Sequence, residues 1–314
     1  MTHLLAEKLK NDPRVLDAKR LLLAAVADAQ SQIQSPKEAH GQLKADYQST
    51  LDTFASDRGG QLFFPYLGSG IGNGCLVELA DGSIKYDMIC GIGPHYWGHS
   101  HPDIISAEVD ACISDVVMQG HLQQNTDAAQ LCHLLTSSSG KDHCFLTTTG
   151  VMANENALKI AFQKRNPAYR ILAFDHCFAG RTVAVSQITD KPGYRKGLPP
   201  TLHVDYFPFY DYRDPKGSTA RAVARLKEHI GRHPGEHAAM IFELIQGEGG
   251  FYPGTRDFFV ALMDVLKEHG ITIIDDEVQA FGRTSKLYAF QHFGLEDYVD
   301  IVTIGKLSQV CATL

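Results

Sequence analysis

Three short stretches carry the side chains with the most chemical potential. The first, Thr147-Thr148-Thr149-Gly150-Val151, lies between an apolar strand pattern and a helical one. A turn of this kind leaves backbone N–H groups unpaired at the positive end of a helix dipole, which suits a phosphate. The hydroxyls of Thr148 and Thr149 can add donors, although a plain N-cap explains the same residues. The second is Ile271-Thr272-Ile273-Ile274 running into Asp275-Asp276-Glu277. Acids at the C-terminal end of a parallel strand face the crevice where α/β sheets bind ligands. Neighbours along a strand point to opposite faces, so the run predicts one functional aspartate rather than a metal cluster. The third is Lys306, directly after Val302-Thr303-Ile304-Gly305.

Positioning these groups requires a particular frame. Patterns at 126–137, 152–164, 255–268 and 286–293 are helical, as is 103–118. Residues 144–146, 170–174, 239–245, 271–275 and 301–304 are short, nearly continuous apolar runs. Such runs alternating with helices predict an α/β fold with a mostly parallel sheet sandwiched by helices. Asp276 and Lys306 are 30 residues apart, enough for one crossover that returns the chain parallel to its start. Ahead of this lies a hairpin signal, Leu76–Leu79 and Ile84–Asp87 around Asp81-Gly82. Residues 60–74, rich in glycine and proline, are expected to be loop. Residues 1–60 are amphipathic and helical, either an arm that docks on a partner subunit or a helix packed on its own body.

A phosphate grip, an acid and an amine on one sheet edge match the needs of pyridoxal 5′-phosphate: an anchor for the phosphate, a carboxylate for the ring nitrogen and a Schiff-base lysine. Five blocks then make the reading specific. They are Gly98-His99-Ser100-His101-Pro102, Thr149-Gly150-Val151-Met152-Ala153-Asn154-Glu155-Asn156-Ala157-Leu158-Lys159, Phe178-Ala179-Gly180-Arg181-Thr182 and Glu243 through Gly250. The last joins Asp276-Glu277-Val278-Gln279, Phe281-Gly282-Arg283-Thr284 and Asp300 through Lys306. In this order, over about residues 60 to 306, the chain resembles the class III, ω-type aminotransferases of fold type I.

The resemblance implies that Lys306 carries the cofactor and shuttles a proton, and that Asp276 pairs with the ring nitrogen. It implies that Phe178 stacks on the ring, Gln279 lies near the phenolic oxygen, and Thr149, Gly150 and Val151 hold the phosphate. Glu243 matches an acid that pairs with a switching arginine at the substrate site. The implied reaction moves an amino group from an amino acid or ω-amine donor to a 2-oxo acid such as 2-oxoglutarate by a ping-pong cycle. Lys306-Leu307-Ser308-Gln309-Val310-Cys311 leans toward the lysine ε-aminotransferase branch. A cytoplasmic homodimer is implied. The expected divisions are an N-terminal helical segment (1–60), an N-terminal part of the small domain with its hairpin (61–100) and a large cofactor-binding domain (101–314), with the C-terminal part of the small domain absent. Departures from the family pattern are Val151-Met152 in place of a hydroxyl residue and a glutamate, Ala179 in place of a common histidine, and a loop at Ala280 one residue shorter. Two other readings share these residues: an aminomutase, racemase or decarboxylase using the same cofactor, and a truncated pseudoenzyme or interaction subunit.

Composition excludes other classes. With 29 basic against 36 acidic residues among 314, the net charge of −7 and the lack of a basic run argue against nucleic acid. Leu21–Ala27, an aliphatic run near the start, is far shorter than the roughly 20 residues of a membrane helix. Seven scattered cysteines with no CxxC pair suit reduced thiols of a cytosolic protein. Gly68, Gly70, Gly72 and Gly74 lack the strand–turn–helix setting of a dinucleotide loop. His95, His99 and His101 have metal-like spacing, but His99 and His101 belong to the family block, which argues against zinc, and Ser138-Ser139 form no nucleophile elbow.

Overall fold

The computed structural model describes residues 4–115 and 123–314. The chain forms two compact units that divide between Asn125 and Thr126. The first holds helices α1 (Leu5–Lys10), α2 (Pro13–Gln30) and α3 (Lys44–Asp57), strands β1 (Gly68–Asn73), β2 (Leu76–Leu79) and β3 (Ile84–Tyr86), and helix α4 (Pro102–Cys112). Helix α2 starts at Pro13 behind an Asp12 cap, whose carboxylate accepts the Arg14 amide at 2.9 Å. It packs on its own unit: Lys19 pairs with Asp110 of α4 at 2.8 Å, and the Gln30 amide donates to the Gly72 carbonyl at 3.0 Å.

Strands β1, β2 and β3 form an antiparallel sheet in that order, with the Asp81-Gly82 turn joining the second and third. The expectation of loop across 60–74 is therefore corrected at 68–73. The glycines of β1 lack the β-branched signature of a strand, yet their backbones pair with β2, Gly72 opposite Val77. A Cβ on Gly72 would sit 2.5 Å from both the His99 Cβ and the Leu76 carbonyl oxygen, so close approach requires glycine there. The helix expected over 103–118 ends at Cys112, and its last three positions lie outside the described residues.

The second unit opens with α5 (Thr126–Ser139), β4 (Phe145–Thr147), α6 (Gly150–Arg165), β5 (Arg170–Phe174), α7 (Pro192–Arg195), β6 (His203–Phe207), α8 (Pro215–Arg232) and β7 (His237–Phe242). It continues with β8 (Ile245–Gln246), β9 (Tyr252–Pro253), α9 (Arg256–Glu268), β10 (Thr272–Glu277), α10 (Ala289–His292), β11 (Ile301–Ile304) and β12 (Cys311–Thr313). Seven strands make one sheet in the order β4-β12-β11-β10-β7-β5-β6. All neighbours from β11 to β6 are parallel, and β12 runs antiparallel to β11 and β4. The sheet is mostly parallel, as the apolar runs imply. Elements β6, α8 and β12 are among those that escaped the sequence reading. Polar His203 and Asp205 interrupt β6 at the sheet edge, α8 is polar on its outer face, and β12 depends on a tight turn at Gln309, which adopts φ 60°.

Alternation along the strands splits the core. On one face Leu172, Phe174, Phe242 and Ile273 meet Phe258, Phe259 and Leu262 of α9 and Leu226 of α8. On the other, Ile171, Ala173, Ile241 and Ile274 meet Ala157, Leu158 and Ala161 of α6. Ala153, Ala157 and Ala161 recur every four residues with no exposed surface, so α6 lies close on the sheet with its first turn above the strand ends.

The acidic run on β10 obeys the same alternation. Asp275 and Glu277 point to the α9 side and Asp276 to the α6 side. Glu277 accepts the amides of Ala289 at 2.7 Å and Phe290 at 2.8 Å, capping α10. Asp275 is fully buried, and neither oxygen has a hydrogen-bond partner of good geometry. Burial, and Glu277 beside it, push the Asp275 carboxyl well above its usual range. The folded state thus keeps a proton that the unfolded chain releases above about pH 4, so stability falls as pH rises from there. Asp275→Asn keeps the shape, removes this penalty and still offers a donor toward Glu277. A gain of about 1–3 kcal/mol is expected at pH 8, shrinking toward pH 4, in urea unfolding. Unchanged or reduced stability at pH 8 would show that Asp275 is ionised and paired.

Candidate active site

The C-terminal ends of the parallel strands converge on a cavity of about 480 Å³. Each strand delivers one part. After β4 the chain passes through Thr149 into α6. The Thr149 hydroxyl accepts the Met152 amide at 3.2 Å, an N-cap bond, and the first-turn amides of Gly150 and Val151 have no acceptor within the helix. Those two amides border the cavity at the positive end of the helix dipole. A Cβ on Gly150 would lie 2.5 Å from the Val278 Cγ1, so this helix start is pressed against the loop that follows β10.

After β5, Phe178 enters the cavity wall, with Tyr194 edge-on to its ring at 6.0 Å between centroids. The loop is fixed from below. The Thr189 hydroxyl accepts the amides of Ala179 at 3.0 Å and Gly180 at 3.1 Å, and donates to the Gly180 carbonyl at 2.7 Å. Past β7, Glu243 accepts the amides of Phe178 at 3.1 Å and Gly247 at 2.9 Å. Both oxygens of this buried carboxyl therefore hold loop backbone together. Burial and the nearby Asp276 raise it to about 8, so it is mostly protonated at pH 7.

Strand β10 delivers Asp276 and β11 leads to Lys306; Asp276 stands directly opposite Thr303 in the parallel register. Asp276 is 5% exposed. Its Oδ2 accepts from Asn154 Nδ2 at 2.7 Å and its Oδ1 from the Val278 amide at 3.0 Å. Burial raises its carboxyl to about 6, against the pull of these donors and of Lys306. It is thus mostly ionised at pH 7, while Glu243 is mostly neutral. Two acids in one cavity have been driven apart by their surroundings. Among the described residues no cationic side chain lies within ion-pair distance of Asp276.

Lys306 is half-buried, and burial lowers its ammonium below the usual range, with Asp276 opposing the shift. Its Nζ donates to Gln279 Oε1 at 3.4 Å. It also adopts φ 54°, a left-handed conformation that costs a non-glycine residue about 1–3 kcal/mol and that gathers at functional sites. The structure thus brings Thr149, Gly150, Val151, Phe178, Glu243, Asp276, Gln279 and Lys306 to one cavity. Sequence reasoning missed Asn154, Thr189 and Thr303 as functional support. The signals for Asn154 are its place in the family block from Thr149 to Lys159 and its position as a polar residue next to the alanine stripe of α6.

The seven-stranded frame and the cavity at its strand ends define the class of protein. The chain belongs to the class-III aminotransferase family, whose sequence profile matches residues 67–309. It is 32% identical over 244 residues to an acetylornithine aminotransferase of Methanocaldococcus jannaschii, covering 75% of this chain and 56% of that protein. Identity is 34% over 234 residues to the acetylornithine aminotransferase of Bacillus subtilis, covering 74% and 57%. The chain therefore spans somewhat more than half the length of these curated relatives. Among solved structures, an ornithine aminotransferase from Toxoplasma gondii with partial occupancy of PLP at its active site matches at TM-score 0.70 and 25% identity, over 88% of this chain and 67% of that one. A lysine aminotransferase from M. tuberculosis shares the fold at TM-score 0.70 and 24% identity, over 84% and 67%.

Proposed function

We propose that the protein is a pyridoxal-phosphate-dependent aminotransferase that takes the terminal amine of an ornithine-like or other ω-amino donor and passes it to a 2-oxo acid such as 2-oxoglutarate. The observation that carries this reading is Asp276: a buried carboxylate without a cation partner among the described residues, facing a lysine that the same burial makes a better nucleophile. Asp276 would hold the cofactor's protonated ring nitrogen, which meets this need for a cation. The free amides of Gly150 and Val151 suit the phosphate at the other end of the ring. When bound, the cofactor supplies an electron sink for a carbanion formed at the donor carbon.

The chain's own residues do the rest. Lys306, desolvated and therefore easily deprotonated, takes the proton from the donor carbon and returns it. Gln279 accepts from its Nζ and limits where the amine swings. Asp276 holds a proton on the ring nitrogen by charge and by hydrogen bond. Phe178 bounds one face of the cavity, and Glu243, neutral at pH 7, keeps that wall in place without adding a second negative charge beside Asp276. The sequence-based role for Glu243, a partner for an arginine at the substrate, would draw on the acceptor sites that its two backbone bonds leave over and would favour its ionised form.

The relatives' names support the donor class, since acetylornithine and ornithine aminotransferases are prominent among them. A homodimer is part of the proposal, supported by the nearly complete exposure of Phe63 (90%) and Met88 (88%) in the first unit; sedimentation at a single-chain mass would refute it. No helix of the described residues is long and apolar enough to cross a membrane, and a cytoplasmic location is proposed with the thiols. In the test of function, protein loaded with pyridoxal phosphate is mixed with ornithine or N-acetylornithine and no keto acid. Loss of the visible absorption band and its return with 2-oxoglutarate are expected. No change with any amine, or decarboxylated or racemised donor instead, would overturn the assignment.

A further inference from the structure

Asp275 and Asp276 are adjacent, both buried and on the same strand, yet their charge states differ. Burial leaves Asp275 with no hydrogen-bond donor of good geometry and far above its normal range, whereas Asp276 rises only to about 6. Glu277 beside Asp275 accounts for part of the difference, and the donors around Asp276, with Lys306, for the rest; among those donors is the amide of Asn154, 1% exposed in the first turns of α6. Its Nδ2 donates at 2.7 Å to Asp276 Oδ2 and at 2.7 Å to the carbonyl of Ala179. Its Oδ1 accepts from the Thr303 hydroxyl at 2.7 Å.

This orientation of the amide follows from chemistry. A carboxylate and a backbone carbonyl both accept only, so the group between them must be the NH₂; reversing it would set three oxygens against one another in a dry site. Thr303, three residues before Lys306, satisfies the amide oxygen from the far side. One side chain therefore joins the acid, the strand that leads to Lys306 and the loop that carries Phe178.

We propose that Asn154, held in place by Thr303, is a positioning residue that keeps Asp276 ionised and aimed, and so sets how firmly Asp276 holds a protonated ring nitrogen. This rests on the pyridoxal-phosphate reading given above.

The test compares two ligands on unliganded protein: pyridoxal 5′-phosphate and its 1-deaza analogue, which has carbon in place of the ring nitrogen. Asn154→Ala is expected to weaken binding of pyridoxal phosphate about tenfold, equivalent to one unit of the shared proton's affinity, and binding of the analogue less than about twofold. Thr303→Val, which removes the hydroxyl but keeps the shape, is expected to act in the same direction by about threefold. The ¹⁵N resonance of labelled cofactor should move toward that of the unprotonated ring in both variants. Equal losses for the two ligands would show a merely structural role and overturn the proposal, as would no loss for either. If Asn154→Ala does not fold, Thr303→Val decides on the same criterion. Failure of the wild-type protein to bind pyridoxal phosphate would instead overturn the functional reading on which the proposal rests.

Discussion

Replacing Lys306 with alanine is expected to lower transamination by at least about a thousandfold while leaving the fold in place. A positioned general base contributes roughly 10²–10⁴ by itself, and Lys306 is assigned the covalent hold on the cofactor as well. The fold should survive because the side chain stabilises little. It is half-buried, makes one long hydrogen bond of 3.4 Å, and its backbone is held at φ 54° at a cost. Thermal unfolding of the variant without cofactor should fall within a few degrees of the wild type. A drop of less than about tenfold in turnover would mean that another group moves the proton, and the reading of this cavity would be wrong at its centre.

Asp276→Asn should cost about 10²–10⁴ in turnover with little change in the affinity for a 2-oxo acid. The asparagine keeps the shape but cannot balance a cationic ring nitrogen. The pH profile separates this from a packing defect. Asp276 titrates at about 6, so wild-type activity should decline as pH falls through 6 and Asp276 takes up a proton. A bound cation would draw that midpoint lower, because an opposite charge favours the ionised carboxylate. In Asp276→Asn this acid limb should disappear, and Asp276→Glu should retain part of it. If the limb persists in Asp276→Asn, some other group controls it and the charge assigned to Asp276 is misplaced.

Much of this arrangement was legible in the residues. Strands β5 and β11 appear as nearly continuous apolar runs because each is covered on both faces, and a run that short and that apolar has few alternatives. Strand alternation predicts one functional aspartate in the acidic run, the family resemblance points to Asp276, and the two faces of β10 obey the alternation. The ordered blocks around Gly150, Phe178 and Lys306 marked loops whose shapes the cavity depends on. What was not legible is tertiary. That Thr189 shapes the turn at Gly180 from nine residues away follows from chain path alone, and no local pattern encodes it. Asn154 sits inside a block that the family resemblance flagged as a unit. Its role appears only when Asp276, 122 residues later, and Thr303, 149 residues later, close around it. Strand β1 was hidden for the opposite reason: glycine carries no side-chain signal, and backbone pairing alone makes it a strand.

The most direct test of the central claim is borohydride reduction of the protein with pyridoxal 5′-phosphate, followed by proteolysis and mass spectrometry of the modified peptide. The account predicts one pyridoxyl group, on Lys306, and none on Lys306→Ala treated in parallel. Modification scattered over exposed lysines at equal levels in both proteins, with Lys306 unmarked, would contradict it.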